Sequence, residues 1–343
     1  MKLCKIEELM GGEVLARPIL TDEYRILLSE ETVLKEEYIE KIRELGIEEI
    51  YIKDQDMVHA QEVVLLKADI ETSFREKVRD ILGRHTYNNS GKLSELIKTA
   101  DGIIENILNE EEVVEKIFDI RERSADIYEH SISICSLATL IALKLELNKE
   151  TVHEIGVGAL LHELGLRYLT IPFEGKEISS LSEEEQKEYY KHPVYGYSAI
   201  KKESWISETG KNIILGHHER IDGSGFPLKI KKIPYETQIV SVCDAFDEMI
   251  CGIGCTRMKV YEAVEYMRVF KGKIFDEKLV DLFLDFTAVY PAGTVVFLND
   301  GREATVLRQN KEFPDRPVIK IKGLFEETDL TKVQNLFIEK VIE

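Results

Sequence analysis

Residues Asn148–Gly165 read NKETVHEIGVGALLHELG, a stretch with signals for both ends of a helix. Asn148 can cap a helix that runs to the pair His162-Glu163, because its side chain accepts a hydrogen bond from the first turn. Gly165 can supply the left-handed residue that commonly stops a helix. The stretch therefore predicts a helix with a histidine–carboxylate pair at its C-terminal end.

Helical periodicity dominates the sequence around this stretch, from about Ser124 to Phe286. Alternation of β-branched residues, which is typical of strands, is rare there. A capping box at Ser182–Glu185 begins a further helix. That helix must end by His192, because Pro193 disfavours helical geometry in the residue before it. The sequence thus predicts a mainly α protein with a central all-helical domain.

The two ends of the chain show different patterns. Residues 1–58 contain short apolar runs between turn signals and one helical pattern, which predict a small α+β unit. Residues 59–122 predict a helical connector, and residues 123–287 form the expected helical domain. Residues 288–343 alternate in polarity around tight turns and predict a small β-rich appendage.

Composition and charge exclude several classes of function. The chain has 45 lysines and arginines against 64 acidic residues, a net charge of −19 that repels nucleic acid polymers and anionic lipids. The uncharged apolar stretch Ile132–Leu143 has about 12 residues, whereas a membrane span needs ~20. The amino terminus lacks an apolar signal segment, and the five cysteines contain no C-x-x-C pair. We expect a cytoplasmic protein that binds neither nucleic acid polymers nor membranes.

Histidines concentrate in the central domain, where six of the eight lie between residues 130 and 218. The five of interest are His130, His162, His192, His217 and His218. Each alone is more often a capping or surface residue than a ligand. Together with Asp244, which lies in an otherwise apolar helical stretch, they supply mixed imidazole and carboxylate donors that suit Fe, Mn or Zn.

The histidine doublets indicate more than one metal ion. Adjacent residues of a helix diverge by ~100°, so a doublet converges on one site only by contacting different sides of a metal cluster. The pattern therefore predicts a centre of two or three metals. Such centres commonly support displacement at a phosphoester.

Several ordered blocks of the sequence resemble the HD-GYP phosphodiesterases of the HD superfamily, whose familiar substrate is cyclic di-GMP. The blocks extend over about residues 124–286. They are Tyr128-Glu-His-Ser131, Leu160-Leu-His-Glu-Leu-Gly165, His192-Pro-Val-Tyr-Gly196, His217-His-Glu219, Asp222-Gly-Ser-Gly-Phe-Pro227, Asp244-Ala-Phe-Asp247 and Phe275-Asp276. Any one block would be a weak signal, but their order and gaps together are highly specific.

The resemblance implies a site, residue by residue. The metal ligands would be His130, His162, Glu163, His192, His217, His218 and Asp244, with Asp126 where members with a third metal often have a glutamate. Glu163 and Asp244 would be the catalytic residues. The cofactors would be two or three divalent ions, Fe or Mn, which activate the water that attacks the phosphoester.

The resemblance also implies a substrate-binding region. The loop Gly223, Ser224, Gly225, Phe226 and Pro227 would border the nucleotide pocket, its glycines letting the backbone approach the ligand. Lys229 follows this loop and could attract an anion, with a solvated basic turn as the alternative. Arg257 is an imperfectly placed substitute for the family's arginines.

Four departures from the family pattern bear on activity. Glu163 replaces an aspartate, Leu166 a lysine that can contact substrate phosphate, and Phe226 the tyrosine of the family's name. The family's arginine-rich segment is here Cys251–Cys255. These changes leave the metal ligands plausible and weaken the phosphate contacts, so Leu166→Lys is expected to restore one of them.

The leading function is metal-dependent hydrolysis of a cyclic dinucleotide, foremost cyclic di-GMP, to linear pGpG and onward to GMP. The first alternative is a receptor or interaction module that binds nucleotide and signals without turnover. The second is a phosphohydrolase for another nucleotide. The apolar faces of the connecting helices suggest a homodimer or a signalling partner protein.

Overall fold

The structure is a computed structural model that describes residues 2–20, 26–53, 60–88 and 92–342. Its contacts divide the chain into two compact units. The first comprises Met1–Glu62, Glu122–Ser124 and Tyr290–Glu343, and the second comprises Val63–Arg121 and Ala125–Val289. The predicted connector therefore packs as part of the helical unit. The predicted division of the chain into four ranges stays a prediction.

The second unit is helical, which confirms the mainly α fold. Its helices are α2 (Ala68–Asn88), α3 (Leu96–Leu108), α4 (Ile127–Lys144), α5 (Lys149–Leu161), α6 (Glu183–Tyr189), α7 (His192–Ile200), α8 (Glu208–Gly216), α9 (Tyr235–Cys251), α10 (Val260–Phe270) and α11 (Glu277–Asp285). Helices α4 and α9 are buried along most of their length, and α5 packs against α4 and α8. Within the described ranges, no helix combines the length and apolarity needed to cross a bilayer.

The structure contains the predicted helix caps, and only the role of Gly165 after α5 differs from the prediction. The side chain of Asn148 accepts a hydrogen bond from Thr151 N (3.0 Å), and Ser182 forms the capping box with Glu185. Helix α5 ends at Leu161, and a 3₁₀ segment continues over His162–Tyr168.

Gly165 does not serve as the predicted left-handed stop. It is absent from the glycines with positive φ among the described residues. A Cβ at this position would lie 1.7 Å from His192 O and 2.8 Å from Gly196 N. Gly165 is therefore required because the backbone of the 3₁₀ segment touches the first turn of α7. This contact holds the His162-Glu163 pair beside His192.

The first unit contains the two small β regions that the sequence predicts. Near the amino terminus, α1 (Glu36–Glu44) accompanies the antiparallel pairs β1 (Lys2–Lys5) with β4 (Glu49–Ile52) and β2 (Ile19–Leu20) with β3 (Ile26–Leu28). The carboxyl-terminal region is a five-stranded antiparallel sheet in the order β8-β7-β6-β5-β9, formed by β5 (Val295–Leu298), β6 (Glu303–Arg308), β7 (Val318–Ile321), β8 (Glu327–Asp329) and β9 (Ile338–Val341). Val296, Val306 and Ile319 fill one face of this sheet.

Candidate metal centre

The seven predicted ligands other than Asp126 come together inside the helical unit, from the ends and middles of different helices. His130 lies in the first turn of α4, the pair His162-Glu163 in the 3₁₀ segment after α5, His192 at the start of α7, the doublet His217-His218 just after α8, and Asp244 in α9. Each side chain is buried, with at most 4% of its residue exposed.

The donors form two groups that share one carboxylate. One group contains Glu163, His192, His217 and His218, and the other contains His130, His162, Glu163 and Asp244. Within each group, the donor atoms lie within 4.8 Å of one another. Glu163 is thus placed between the groups, in the position of a carboxylate that joins two metal ions.

Hydrogen bonds from Nδ1 to backbone carbonyls orient three of the histidine rings. His162 Nδ1 lies 2.6 Å from Ala159 O, His192 Nδ1 2.9 Å from Tyr189 O, and His217 Nδ1 3.1 Å from Ile214 O. A carbonyl only accepts, so each Nδ1 carries the proton and each Nε2 keeps its lone pair. His192 Nε2 and His217 Nε2 lie 3.3 Å apart. Two lone pairs directed at one region are what metal-ligating imidazoles require.

His130 is held by a carboxylate instead of a carbonyl. Its Nδ1 lies 2.7 Å from Asp247 Oδ2, and Ser133 Oγ donates to Asp247 Oδ1 (3.0 Å). Burial alone would lower the pKa of His130, but Asp244 and Asp247 raise it to about 10. A metal ion that binds His130 therefore has to displace a proton from it.

Several polar atoms of the cluster have no hydrogen-bond partner among the described residues. They are both carboxylate oxygens of Glu163, both of Asp244, and His218 Nε2. Nε2 of His130 and of His162 lie 3.2 and 3.3 Å from Asp244 Oδ1, close enough for electrostatic attraction but without hydrogen-bond geometry. Buried carboxylates left in this state are costly, and a divalent cation satisfies them. The donor set fits metal ions.

The protonation states of the other donors also suit a metal. Burial would raise the pKa of Asp244, but the neighbouring imidazoles of His218, His130 and His162 hold it well below its usual range. Burial, reinforced by neighbouring imidazoles, lowers the pKa of His217 and His218 well below 6.5. At neutral pH the aspartate is ionised and these two imidazoles are neutral, which are the states that bind metal.

Glu248 is a candidate ligand that the sequence reasoning did not select. With His218 and Asp244 it forms a third group of donor atoms within 4.8 Å. Burial and the nearby carboxylates Asp244 and Glu163 raise its pKa well above the usual value. The signal was present in the sequence, because Asp244 and Glu248 are four residues apart and share one face of α9.

Asp126 does not have the environment predicted for a third-metal ligand. It belongs to none of the donor groups found in the described part of the chain. Its Oδ1 accepts from Tyr128 N (3.0 Å) and Glu129 N (2.9 Å), which makes it the N-cap of α4. Its Oδ2 is in a short ion pair with Arg75. Both oxygens therefore have partners in this structure, and metal binding by Asp126 stays a prediction.

The loop Gly223–Pro227 packs against the histidine doublet. A Cβ on Gly225 would lie 2.4 Å from His218 O and 2.5 Å from Arg220 N, so this glycine allows the loop backbone to approach the backbone of the histidine doublet. The approach of a ligand to the loop stays a prediction. The ring of Phe226 stacks on His218, with centroids 4.4 Å apart and planes at 29°. Ser224 contacts Asp222.

The carboxylate of Glu219 fixes the segment after this loop. It accepts from the backbone amides of Leu228 (2.6 Å), Lys229 (3.0 Å) and Ile230 (3.1 Å). Lys229 is one of the few non-glycine residues with positive φ. Arg257 lies beside Gly252, just beyond the end of α9. Contact of Lys229 or Arg257 with a substrate stays a prediction.

A cavity of about 560 Å³ opens beside the cluster, within the helical unit. Glu163 reaches it from the metal groups, and Tyr128, Arg167 and Phe173 also line its wall. The size falls in the range of small-molecule sites. The cavity is therefore the place where a ligand can approach Glu163.

Leu166 also lines this cavity, but its side chain belongs to an apolar cluster. It is 4% exposed and packs with Ile178, Leu181 and Tyr189. Because the side chain introduced by Leu166→Lys would start within this apolar cluster, the variant is expected to lose stability. The gain in phosphate contact that the sequence suggests for it stays a prediction. We expect this variant to lower the free energy of unfolding by at least about 2 kcal/mol in a urea titration.

Leu166→Met is the control, because a change that conserves volume costs less than about 1.5 kcal/mol. An unchanged unfolding midpoint for Leu166→Lys would contradict this placement of the side chain.

Asp247 is expected to control metal affinity without binding metal. Asp247→Asn removes the charge that holds His130 Nδ1, and changes of this kind typically cost 10- to 100-fold in affinity. Titration of metal-free protein with Mn²⁺ measures the effect. Asp281→Asn, on the exposed side of α11 in an ion pair with Lys271, is the control. Equal affinity of the wild type and Asp247→Asn would show that His130 needs no such support.

Comparison with known proteins points to one family. The profile of the HD domain family matches residues 107–279. Cyclic di-GMP phosphodiesterase PA4108 of Pseudomonas aeruginosa is 29% identical over 197 residues, which cover 57% of this chain and 47% of that protein. The cyclic di-GMP phosphodiesterase of Thermotoga maritima is 31% identical over 249 residues, which cover 66% of this chain and 64% of that protein. The chain thus spans less than two thirds of either relative.

A solved structure shares the fold. Bd1817, an HDG"Y"P protein from Bdellovibrio bacteriovorus, superposes with a TM-score of 0.56 and 17% identity over 83% of this chain and 98% of that one. At this identity the similarity concerns the fold alone.

Proposed function

We propose that this chain, which belongs to the HD domain family and to its HD-GYP branch, is a metal-dependent phosphodiesterase that opens cyclic di-GMP to linear pGpG and then to GMP. The observation that carries the proposal is the pair of donor groups joined by Glu163 next to a cavity of ligand size. The curated relatives named as cyclic di-GMP phosphodiesterases support the choice of substrate.

Two divalent ions fit the two donor groups. The mixture of imidazole and carboxylate suits Fe, Mn or Zn, and the resemblance to the family favours Fe or Mn. Glu163, His192, His217 and His218 would hold one ion, and His130, His162, Glu163 and Asp244 the other. Glu248 is positioned to add a carboxylate near His218 and Asp244. Ions held there would supply a water of lowered pKa and positive charge against the substrate phosphate.

The chain's own residues prepare this chemistry by fixing the donors. Backbone carbonyls hold the protons of His162, His192 and His217 on Nδ1, so no rearrangement of these rings is needed when a metal binds. Phe226 covers one face of His218. The apolar part of the cavity wall, which includes Phe173 and Tyr189, offers surfaces for a nucleobase.

The experiment that tests the proposal is product analysis. Protein prepared without oxygen and supplied with Mn²⁺ or Fe²⁺ should convert cyclic di-GMP to the linear dinucleotide, and Asp244→Ala should not. Arg268→Gln, an exposed arginine of α10 paired with Glu265, should behave as wild type. Turnover of 3′3′-cGAMP without turnover of cyclic di-GMP would identify 3′3′-cGAMP as the substrate instead. Binding without any product in metal-loaded protein would make the chain a receptor.

Three further expectations from the sequence accompany this proposal. All five cysteines are free thiols, in accord with a reducing compartment. A cytoplasmic location and a homodimer or signalling partner stay predictions.

A further inference from the structure

Arg220 lies just beyond the histidine doublet, and its side chain contacts three segments of the helical unit. Nη1 of Arg220 lies 3.1 Å from His217 O and 3.0 Å from Glu219 O. The same atom donates to Ser241 Oγ (2.6 Å). The guanidinium lies over the ring of Phe275, 4.9 Å from its centroid. One side chain therefore contacts the turn after α8, the middle of α9 and the segment that precedes α11.

The two carbonyls belong to the turn that ends α8. His217 is the C-cap of this helix, and the last carbonyl groups of a helix have no partner within it. An arginine that donates to such carbonyls holds the turn in one conformation and complements the negative end of the helix dipole. The histidine doublet forms this turn, so Arg220 restrains the backbone that carries two members of the donor group of Glu163 and His192.

Ser241 extends this restraint to α9. Its hydroxyl accepts from Arg220 and donates to Glu219 O (3.1 Å), so it is held from both sides. Ser241 is buried and lies three residues, about one helical turn, before Asp244. Asp244 belongs to the other group of four donors. The hydrogen bonds of Arg220 thus connect the backbone of one donor group to the helix that carries a ligand of the other.

Phe275 fixes the plane of the guanidinium group. Its ring is buried, and the contact with Arg220 is of the cation–π type, which a planar guanidinium makes better than an ammonium. A guanidinium held against a ring has its N–H donors directed to fixed places. Capping of α8 alone requires neither this ring nor the hydroxyl on α9. These two contacts favour a role between the two donor groups over a role in α8 alone.

We infer that Arg220 is a positioning residue that sets the spacing of the two donor groups, because it joins the turn of His217 to the part of α9 that carries Asp244. The inference rests on the proposed function, since it assumes that each group holds a divalent ion. Two ions act together on one phosphate only while their positions are kept, and a misplacement of about 1 Å can cost about 100-fold in rate.

The test measures metal binding and ion spacing in addition to turnover. Metal-free wild type, Arg220→Gln, Arg220→Lys and Ser241→Ala are titrated with Mn²⁺. Protein loaded with two equivalents is then studied by electron paramagnetic resonance, because the magnetic coupling between two Mn²⁺ ions depends on their separation. Thermal unfolding, and kcat and KM for cyclic di-GMP, are recorded for each protein. Arg268→Gln is the matched control, since this arginine pairs with Glu265 within α10.

We expect Arg220→Gln to bind the second equivalent of Mn²⁺ about 10- to 100-fold more weakly and the first normally, the usual cost of losing a group that orients metal ligands. The coupling between the ions should change, and kcat should fall about 100-fold with KM nearly unchanged. Ser241→Ala should change the coupling less, because it keeps the contacts of Arg220 with the two carbonyls. Arg220→Lys should lie between wild type and Arg220→Gln, because an ammonium lacks the planar fork.

Wild-type coupling and wild-type affinity for both equivalents in Arg220→Gln and Ser241→Ala would overturn the inference. Equal weakening of both equivalents together with a lower unfolding temperature would overturn it as well, because it indicates a merely structural role. If Arg220→Gln does not fold, the same two criteria are applied to Ser241→Ala. Failure of the proposed function is recognised in the wild type alone, which would then hold two coupled ions without turnover of cyclic di-GMP.

Discussion

Replacement of Glu163 by alanine is expected to remove about two equivalents of bound metal and to lower turnover of cyclic di-GMP by at least about 10³-fold. The physical reason is that Glu163 is the one residue shared by the two groups of four donors. Loss of its carboxylate leaves each group with three donors and takes away the charge between them. Elemental analysis and product formation measure the two effects.

Glu163→Asp is the informative control, because it restores the family's residue with one methylene less. It should keep metal and a substantial part of the activity if neighbouring backbone can adjust, whereas alanine cannot keep either. Retention of both metals by Glu163→Ala would contradict the shared position of this carboxylate.

Gly165→Ala is also expected to have a large effect, on stability and on metal content, although Gly165 is not a metal ligand. Its added Cβ would lie 1.7 Å from His192 O and 2.5 Å from His192 C, and both neighbours are backbone atoms that cannot rotate away. The 3₁₀ segment and α7 would have to separate, which moves His192 away from Glu163. We expect a loss of about 3 kcal/mol or more in the free energy of unfolding, with reduced metal content.

Gly83→Ala provides the matched control in helix α2. In the part of the chain that the structure describes, nothing lies within 4 Å of an added Cβ there, beyond the helix's own backbone and chain neighbours. A glycine within a helix costs roughly 0.5–1 kcal/mol relative to alanine, so this variant should be slightly stabilised. Unfolding of Gly165→Ala at the wild-type midpoint would contradict the close approach of the 3₁₀ segment to α7.

Local patterns in the sequence were sufficient for the helices and their caps. Asn148 and Ser182 act as caps because capping depends only on residues three positions away. The ligand-type residues were also recognisable, since histidines and carboxylates in such order occur for few purposes. The sequence thus predicted the mainly α fold, and its resemblance to a known family selected seven of the eight residues that the donor groups contain.

Features that depend on distances between elements could not be read in this way. The role of Gly165 comes from contact with α7, some 30 residues later in the chain. Asp126 and His130 are one turn apart, yet Arg75 on another helix occupies the carboxylate. Leu166 and Arg167 are adjacent, and only packing decides which of them faces the apolar cluster.

The proposed function requires that the two donor groups sharing Glu163 would hold two divalent ions and that the site hydrolyses a cyclic dinucleotide. The most direct measurement adds Mn²⁺ stepwise to metal-free protein under anaerobic conditions and follows conversion of cyclic di-GMP to the linear dinucleotide. We expect activity to appear mainly with the second equivalent of Mn²⁺ and to level off once about two equivalents are bound. Protein that binds two equivalents and cyclic di-GMP yet forms no linear product over hours would contradict it.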